Sequence, residues 1–324
     1  MNLQDKVKQF NRALGRRMLI TLRWMFGRLP YPVFAFLKRV FFALSYPLLK
    51  KKRKLTLRNL RLAFGKEKNE EQLKEIADRC FNHFGNGMVD LIYLLDRPDM
   101  IADLVKIEGK EYLDNALKSG KGAILVSAHF GNFILMYLRM VQLGYKTNVI
   151  MRRTRDEEFE KYISEFRQQR GIHAIYDLPP RKCVQDCLRA LRNNEVLFIL
   201  LDQNYGSAGR VFVDFFGQKA ATAAGPVIFS NRTGAPILPI FIERGHPNGR
   251  IDNHKIVIEP PLEVERGKDD EETTVLNIAK LTKIIERFIR RNPEQWGGWM
   301  HNRWKSKTIE EQKVLDMLKG RSSP

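Results

Sequence analysis

The stretch that most restricts the fold is an unbroken apolar run over 123–126. It opens after Gly122 and passes through Ser127-Ala128-His129-Phe130-Gly131-Asn132 into a helical pattern over 133–143. A short apolar run without polar alternation fits a strand buried on both faces, the situation of sheets covered by helices. From about Gly109 onward the pattern recurs. Strands are predicted at 122–128, 147–151, 173–176, 196–201, 236–242 and 254–258, and helices at 131–143, 155–170, 181–193, 225–233 and 273–291. Strands alternating with helices predict an α/β fold. Ligands in such folds bind beyond the carboxyl ends of the strands, where His129 is expected. Taken alone, that histidine fits two roles: a general base titrating near neutral pH, or a core or helix-capping residue.

Charge is concentrated at the N-terminus. The chain of 324 residues carries a net +19, and residues 1–67 hold 17 Lys and Arg against only Asp5 and Glu67. That leaves about +4 for the other 257 residues, so a basic end on a near-neutral body points to an anionic surface, lipid or nucleic acid. The apolar content of 29–49 favours lipid and excludes nucleic acid as the expected partner. Lys38 and Arg39 at its middle and Pro30, Pro32 and Pro47 near its ends make it a poor transmembrane span. An interfacial helix is expected, with Lys50-Lys51-Lys52-Arg53-Lys54 at the headgroups of anionic membrane lipid. Residues 1–27 read as a basic helix, 55–64 as a helix stopped by Gly65, and 71–95 as another ended before Pro98. That last helix repeats the letters His83-Phe84-Gly85-Asn86, but no strand precedes them, so His83 reads as an ordinary helix residue.

Four segments carry a resemblance: Ala128-His129-Phe130-Gly131-Asn132; Leu201-Asp202-Gln203-Asn204-Tyr205-Gly206; Val211-Phe212-Val213-Asp214-Phe215-Phe216-Gly217 with Ala220-Ala221-Thr222; and Trp299-Met300-His301-Asn302-Arg303-Trp304-Lys305. Leu29-Pro30-Tyr31-Pro32 fits as well. In order and spacing, the chain resembles the lauroyl and myristoyl transferases of lipid A assembly, in the lysophospholipid acyltransferase superfamily. The resemblance implies a central mixed sheet flanked by helices, with N-terminal membrane-associated helices. It also implies a location at the cytoplasmic face of the bacterial inner membrane, monotopic or single-pass. The family signature is His, four residues, then Asp or Glu; here the last position is Ile134. Asp202 ends the apolar run 196–201 and is the expected substitute, since the family has a functional Asp there. A rearranged dyad, a histidine acting alone and a degenerate lipid binder all remain open.

The remaining chemistry is sparser. Small residues over 220–226 predict a loop that a ligand can approach closely or a tight turn packed on the sheet; the resemblance implies substrate contacts there, with Lys219 and Thr222 as candidates and Asn132 beside the histidine turn. Arg152, Arg153 and Arg155 follow one strand, and Arg167 and Arg170 lie one helix later; planar guanidinium groups suit phosphate. Of these, Arg152, Arg167 and Arg170 are the candidate substrate contacts. His301 belongs to the last family segment and reads as structure near the site. Cys80, Cys183 and Cys187 form no disulfide framework, Cys183 and Cys187 read as buried thiols on a helix, and no metal site is expected. The expected organisation is a membrane-associating segment 1–67, an α/β acyltransferase domain 68–319 and a tail 320–324. The expected function is acyl transfer from an acyl carrier protein or coenzyme A thioester, a co-substrate with no cofactor, to a hydroxyl of a lipid or glycolipid acceptor. The alternative is a catalytically degenerate lipid or acyl-carrier binding protein on the same fold.

Overall fold

A computed structural model describes residues 3–154, 156–206, 209–245 and 251–306; Arg155 and the tail 320–324 lie outside them. Four helices come first, α1 (Leu3–Phe26), α2 (Tyr31–Ser45), α3 (Lys50–Phe64) and α4 (Glu70–Leu94). α4 starts at a reciprocal cap. Asn69 Oδ1 accepts from the Gln72 N–H, and Gln72 Oε1 accepts from the Asn69 N–H. There follow α5 (Pro98–Leu104), β1 (Val105–Glu108), α6 (Lys110–Leu117), β2 (Ala123–Ser127), α7 (Phe133–Gln142), β3 (Thr147–Met151), α8 (Glu157–Gln169), β4 (Ile172–Tyr176), α9 (Pro180–Arg192) and β5 (Val196–Leu200). The chain continues through β6 (Arg210–Phe215), β7 (Gln218–Ala223), α10 (Gly225–Thr233), β8 (Ile237–Arg244), β9 (His254–Ile258) and α11 (Asp270–Arg291).

Seven strands form the main sheet in the order β1-β9-β8-β2-β5-β3-β4. β8, β2, β5, β3 and β4 run parallel, whereas β9 is antiparallel to β8 and β1 parallel to β9, so the sheet is mixed. All five residues of β2 are buried. Ile124 and Val126 join one core and Ala123 and Leu125 the other, which is why the run shows no polar alternation.

The predicted loop over 220–226 is instead mostly strand. β6 and β7 form an antiparallel hairpin turned by Phe216 and Gly217, both in the left-handed region at φ 56° and 70°. Alanine favours strands poorly, so the run Ala220-Ala221 did not read as one; both residues are fully buried. The short elements α5, β1 and α6 also gave too little periodicity to be predicted.

The N-terminal helices share the core of the body. Phe34 is fully buried against Phe26 and Tyr93, and Leu60 and Phe64 are buried beside Trp299 and Phe216. Lys38 is explained by its partner: its Nζ lies 2.7 Å from the buried Asp90 carboxylate, which also takes Arg244 at 2.9 Å. Among the described residues no helix is long and apolar enough to cross a membrane.

Candidate active site

β2 and β5 are parallel neighbours, and Ser127 pairs with Leu200. Two residues past each partner come His129 and Asp202, so the register alone sets them side by side at the rim of the sheet. The chain holds that level beyond the strands, with the Leu201 N–H donating to the Ser127 carbonyl at 2.9 Å. His129 Nδ1 lies 2.8 Å from Asp202 Oδ1. Asp202 Oδ2 accepts the His129 backbone N–H at 3.0 Å and the Trp296 indole N–H at 2.7 Å.

These contacts fix protonation. Asp202 is fully buried, which by itself would raise its pKa, but His129 and the N–H donors hold it below the ordinary carboxylate range. An ionised carboxylate only accepts, so His129 donates from Nδ1 and carries its lone pair on Nε2. Burial pulls the His129 pKa down, and the charge and hydrogen bond of Asp202 outweigh it, leaving the pKa above its ordinary 6.5. The imidazole is 27% exposed, enough for Nε2 to meet a substrate. Phe133 packs edge-on against its ring at 5.1 Å.

A second segment clamps the turn. The Gly131 N–H donates to the Gln295 carbonyl and the Gly297 N–H to the His129 carbonyl, each at 2.8 Å. Gly131 sits at φ +56°, and a Cβ there would meet the Ile242 carbonyl oxygen at 2.0 Å. Gly131→Ala is therefore expected to cost at least about 1–2 kcal/mol of stability from the left-handed backbone alone. Urea denaturation of the variant checks this, and an unchanged midpoint would contradict it. Gly298 is constrained by the indole it supports, since a Cβ there would lie 2.1 Å from the Trp296 ring.

The other predicted residues divide. Asn132 caps α7 through Leu135 and donates to the Gly87 carbonyl at 3.1 Å, a structural tie beside the histidine turn. Thr222 is fully buried and accepts from Arg303 Nη2 at 2.6 Å, so it supports the site from beneath. Lys219 is exposed on β7 opposite Asp214. Arg152, Arg167 and Arg170 each pair with an acid, Asp177, Glu160 and Asp96, at 3.0, 3.3 and 3.0 Å. His301 is exposed, and partial loss of water around its ring, then the charges of Lys52 and His129, lower its pKa. Ile134 is half-buried and lines a cleft beside the turn with His83, Gly131, Asn132, Phe133 and Arg244. His83 itself has its pKa pushed down to about 3 by burial and by Arg244.

Three residues were not singled out from sequence. Trp296 orients the carboxylate from 94 positions away, and the following Gly297-Gly298 was the only hint of a close approach. Gln203 places its side-chain Nε2 3.1 Å from His129 Nε2. Arg303, only 2% exposed, donates to the carbonyls of Gln203 at 2.9 Å and Ala221 at 2.6 Å. Burial lowers its pKa to about 10. Gln203 and Arg303 lay inside quoted family segments, yet neither residue type announces such a role.

The arrangement, a base with its lone pair on Nε2 and oriented by a buried carboxylate, suits activation of a hydroxyl or thiol. Residues 6–306 match the family described as bacterial lipid A biosynthesis acyltransferase. The chain is 28% identical over 291 residues to the lipid A biosynthesis lauroyltransferase of Escherichia coli (strain K12), covering 89% of this chain and 90% of that one. It is 26% identical over 296 residues to the lipid A biosynthesis palmitoleoyltransferase of the same strain, with coverage of 89% and 90%. A shorter match, 29% over 137 residues, covers 41% of this chain and 42% of the phosphatidylinositol mannoside acyltransferase of Mycobacterium tuberculosis (strain ATCC 25618 / H37Rv). A match running through both partners of the His129–Asp202 pair and nearly the whole chain settles the class: the chain belongs to the bacterial lipid A biosynthesis acyltransferase family and is an acyltransferase enzyme.

Proposed function

We propose that this enzyme moves a fatty acyl chain from an acyl carrier protein or coenzyme A thioester to a hydroxyl of a lipid A precursor or a related glycolipid, with His129 as general base. The observation that carries this reading is the 2.8 Å contact between His129 and the buried Asp202, which supplies the orienting carboxylate that Ile134 does not. The acceptor hydroxyl gives its proton to Nε2 as its oxygen attacks the thioester carbonyl carbon. The tetrahedral intermediate then collapses, the C–S bond breaks, and the imidazolium returns the proton to the departing thiolate. The products are an ester and a free thiol, and no acyl-enzyme forms. The inert-binder reading was prompted by Ile134, and a complete His129–Asp202 pair removes that reason. Purified enzyme given lipid A precursors with acyl carrier protein and coenzyme A thioesters, followed by lipid mass spectrometry, tests the assignment. Absence of any acylated product across donors would sink it.

Because the neutral ring's one N–H, on Nδ1, is already held by Asp202, an acid at 134 has no free ring N–H to bind. Ile134→Glu is therefore expected to give no gain in kcat/KM and to lower stability, by placing a charge in a half-buried cleft. A clear rise in kcat/KM would show that the dyad is incomplete as it stands.

Attachment to an anionic membrane through α1–α3 belongs to the same proposal. Among the described residues, eleven of the fourteen large exposed apolar side chains fall between Leu14 and Leu62, including Trp24 at 60%, Phe36 at 65% and Leu44 at 71%. Such a concentration beside the exposed Lys50, Lys51 and Lys54 fits an interfacial surface. α2, at 15 residues, spans only about 22 Å, short of a hydrocarbon core of about 30 Å. Lys52 donates to the Met300 carbonyl at 3.0 Å, so this basic face borders the segment that holds His301. Such a surface suits the cytoplasmic face of a bacterial inner membrane. The exposed Arg152 and Lys219 are offered as contacts for phosphate groups of the substrates. Replacing Lys50, Lys51 and Lys54 with Gln is expected to weaken binding to anionic vesicles by about 10²-fold, at roughly 1 kcal/mol per lysine. Unchanged sedimentation with vesicles would place the contact elsewhere.

A further inference from the structure

Within the acyl-transfer reading, one contact of His129 is left unused. Nε2, the nitrogen that must receive the acceptor proton, is already occupied. The Gln203 side-chain nitrogen lies 3.1 Å from it. With Nδ1–H committed to Asp202, Nε2 has only a lone pair, so the group facing it must donate, and that is the carboxamide N–H. The bond is therefore a cap on the base, and the substrate hydroxyl must take its place.

The surroundings separate a fixed backbone from a free arm. Arg303 Nη1 holds the Gln203 carbonyl at 2.9 Å. The Tyr205 N–H donates to the Ala221 carbonyl at 3.1 Å, and the Ser306 N–H to Asn204 Oδ1 at 3.1 Å. The peptide from Asp202 to Tyr205 is thus pinned to β7 and to the segment after Trp299. The Gln203 side chain itself is exposed. A flexible amide on a clamped peptide can leave Nε2 without disturbing Asp202.

We propose that Gln203 is a substrate-contacting residue: its N–H caps Nε2 in the resting enzyme, yields that position to the acceptor hydroxyl, and then donates to the thioester carbonyl oxygen. That oxygen must lie within a few Å of the vacated position, because the hydroxyl oxygen on Nε2 attacks the carbon bonded to it. Negative charge develops on it as the tetrahedral intermediate forms, so a donor placed there binds the transition state more tightly than the ground state. The same N–H is satisfied in both states, and the resting site leaves no unpaired lone pair on its base.

Gln203→Met keeps the length of the side chain and removes the N–H, so it tests the proposal with little change in packing at an exposed position. The expected result is a fall in kcat of about 10²-fold with KM nearly unchanged, the pattern of an interaction made in the transition state. With ¹⁵N-labelled histidine, at a pH where the ring is neutral, the His129 Nε2 resonance should move toward that of a free, unbonded lone pair. The Nδ1–H signal toward Asp202 should stay in place. Wild-type kcat in the Met variant, or a loss confined to KM, overturns the donor role, and an unmoved Nε2 resonance overturns the cap. A wild type that transfers no acyl group from any thioester sinks the proposed function and the donor role with it. The resonance measurement needs no turnover and still decides the cap.

Discussion

Replacing His129 with alanine is expected to lower acyl transfer by about 10²–10⁴-fold, the usual contribution of a positioned general base. The protein should remain folded. The side chain is partly exposed, and Asp202 keeps two donors without it, the backbone N–H of residue 129 and the Trp296 indole. Binding of the thioester should persist, so the loss belongs in kcat. In the wild type the base must be neutral to accept a proton, so kcat/KM falls as pH drops through the His129 pKa. Asp202 raises that pKa against the opposing effect of burial, which moves the acid limb above pH 6.5. A pH profile of kcat/KM in the wild type, beside single-turnover rates in the alanine variant, checks both statements. Retention of most activity without the imidazole, or an acid limb well below 6.5, would assign the base elsewhere.

How far the sequence led to this site depends on which contacts are local. β2 and β5 were legible because a strand buried on both faces is almost wholly apolar, and His129 and Asp202, two residues past the strand ends, are the first polar side chains beyond them. Their adjacency was expected from the two strand ends, but the sheet order that produces it was not legible. α7 connects β2 directly to β3, yet β5 arrives later in the chain and inserts between them. Sheet order is a long-range property, and the local pattern of either strand carries no record of its neighbour. Asp202 was named from its place at a strand end and from the resemblance, while the register that makes it a partner came only with the sheet.

Other misses have physical causes of the same kind. Trp296 acts through one indole N–H across 94 positions, and nothing in its immediate sequence distinguishes it from a core tryptophan. The arginines after β3 were read for phosphate because their charge was visible, while the acids that pair with them were not seen. Asp96, Glu160 and Asp177 lie on other elements or beyond the window in which charges are read. Lys38 counted against a transmembrane span for a correct reason, but its role as the partner of buried Asp90 needed the packing of α2 on α4.

Asp202→Asn is expected to lower kcat by about 10⁴-fold, the order seen when a buried histidine-orienting carboxylate becomes an amide, and to do so without unfolding the protein. Asp202 accepts three N–H bonds, two on Oδ2 and one on Oδ1. Asparagine has one oxygen and one NH₂ for the same three positions. With its oxygen toward the Trp296 indole and the His129 backbone N–H, both of those donors stay satisfied, and the NH₂ faces Nδ1. The opposite orientation sets the NH₂ against two N–H donors in a fully buried position, at a cost of about 1–3 kcal/mol for each unpaired group. The first orientation therefore wins, and it imposes a tautomer. Nδ1 must accept, so the ring proton moves to Nε2, and the lone pair that should receive the acceptor proton is gone. The variant should melt close to the wild type, and ¹⁵N spectra of labelled histidine should report protonation at Nε2 in place of Nδ1. Two results would refute this account: wild-type turnover in a variant with the exchanged tautomer, or a loss of activity explained entirely by unfolding. The first would make the position of the proton irrelevant to the reaction. The second would reduce Asp202 to a structural residue and leave His129 to act without an orienting charge.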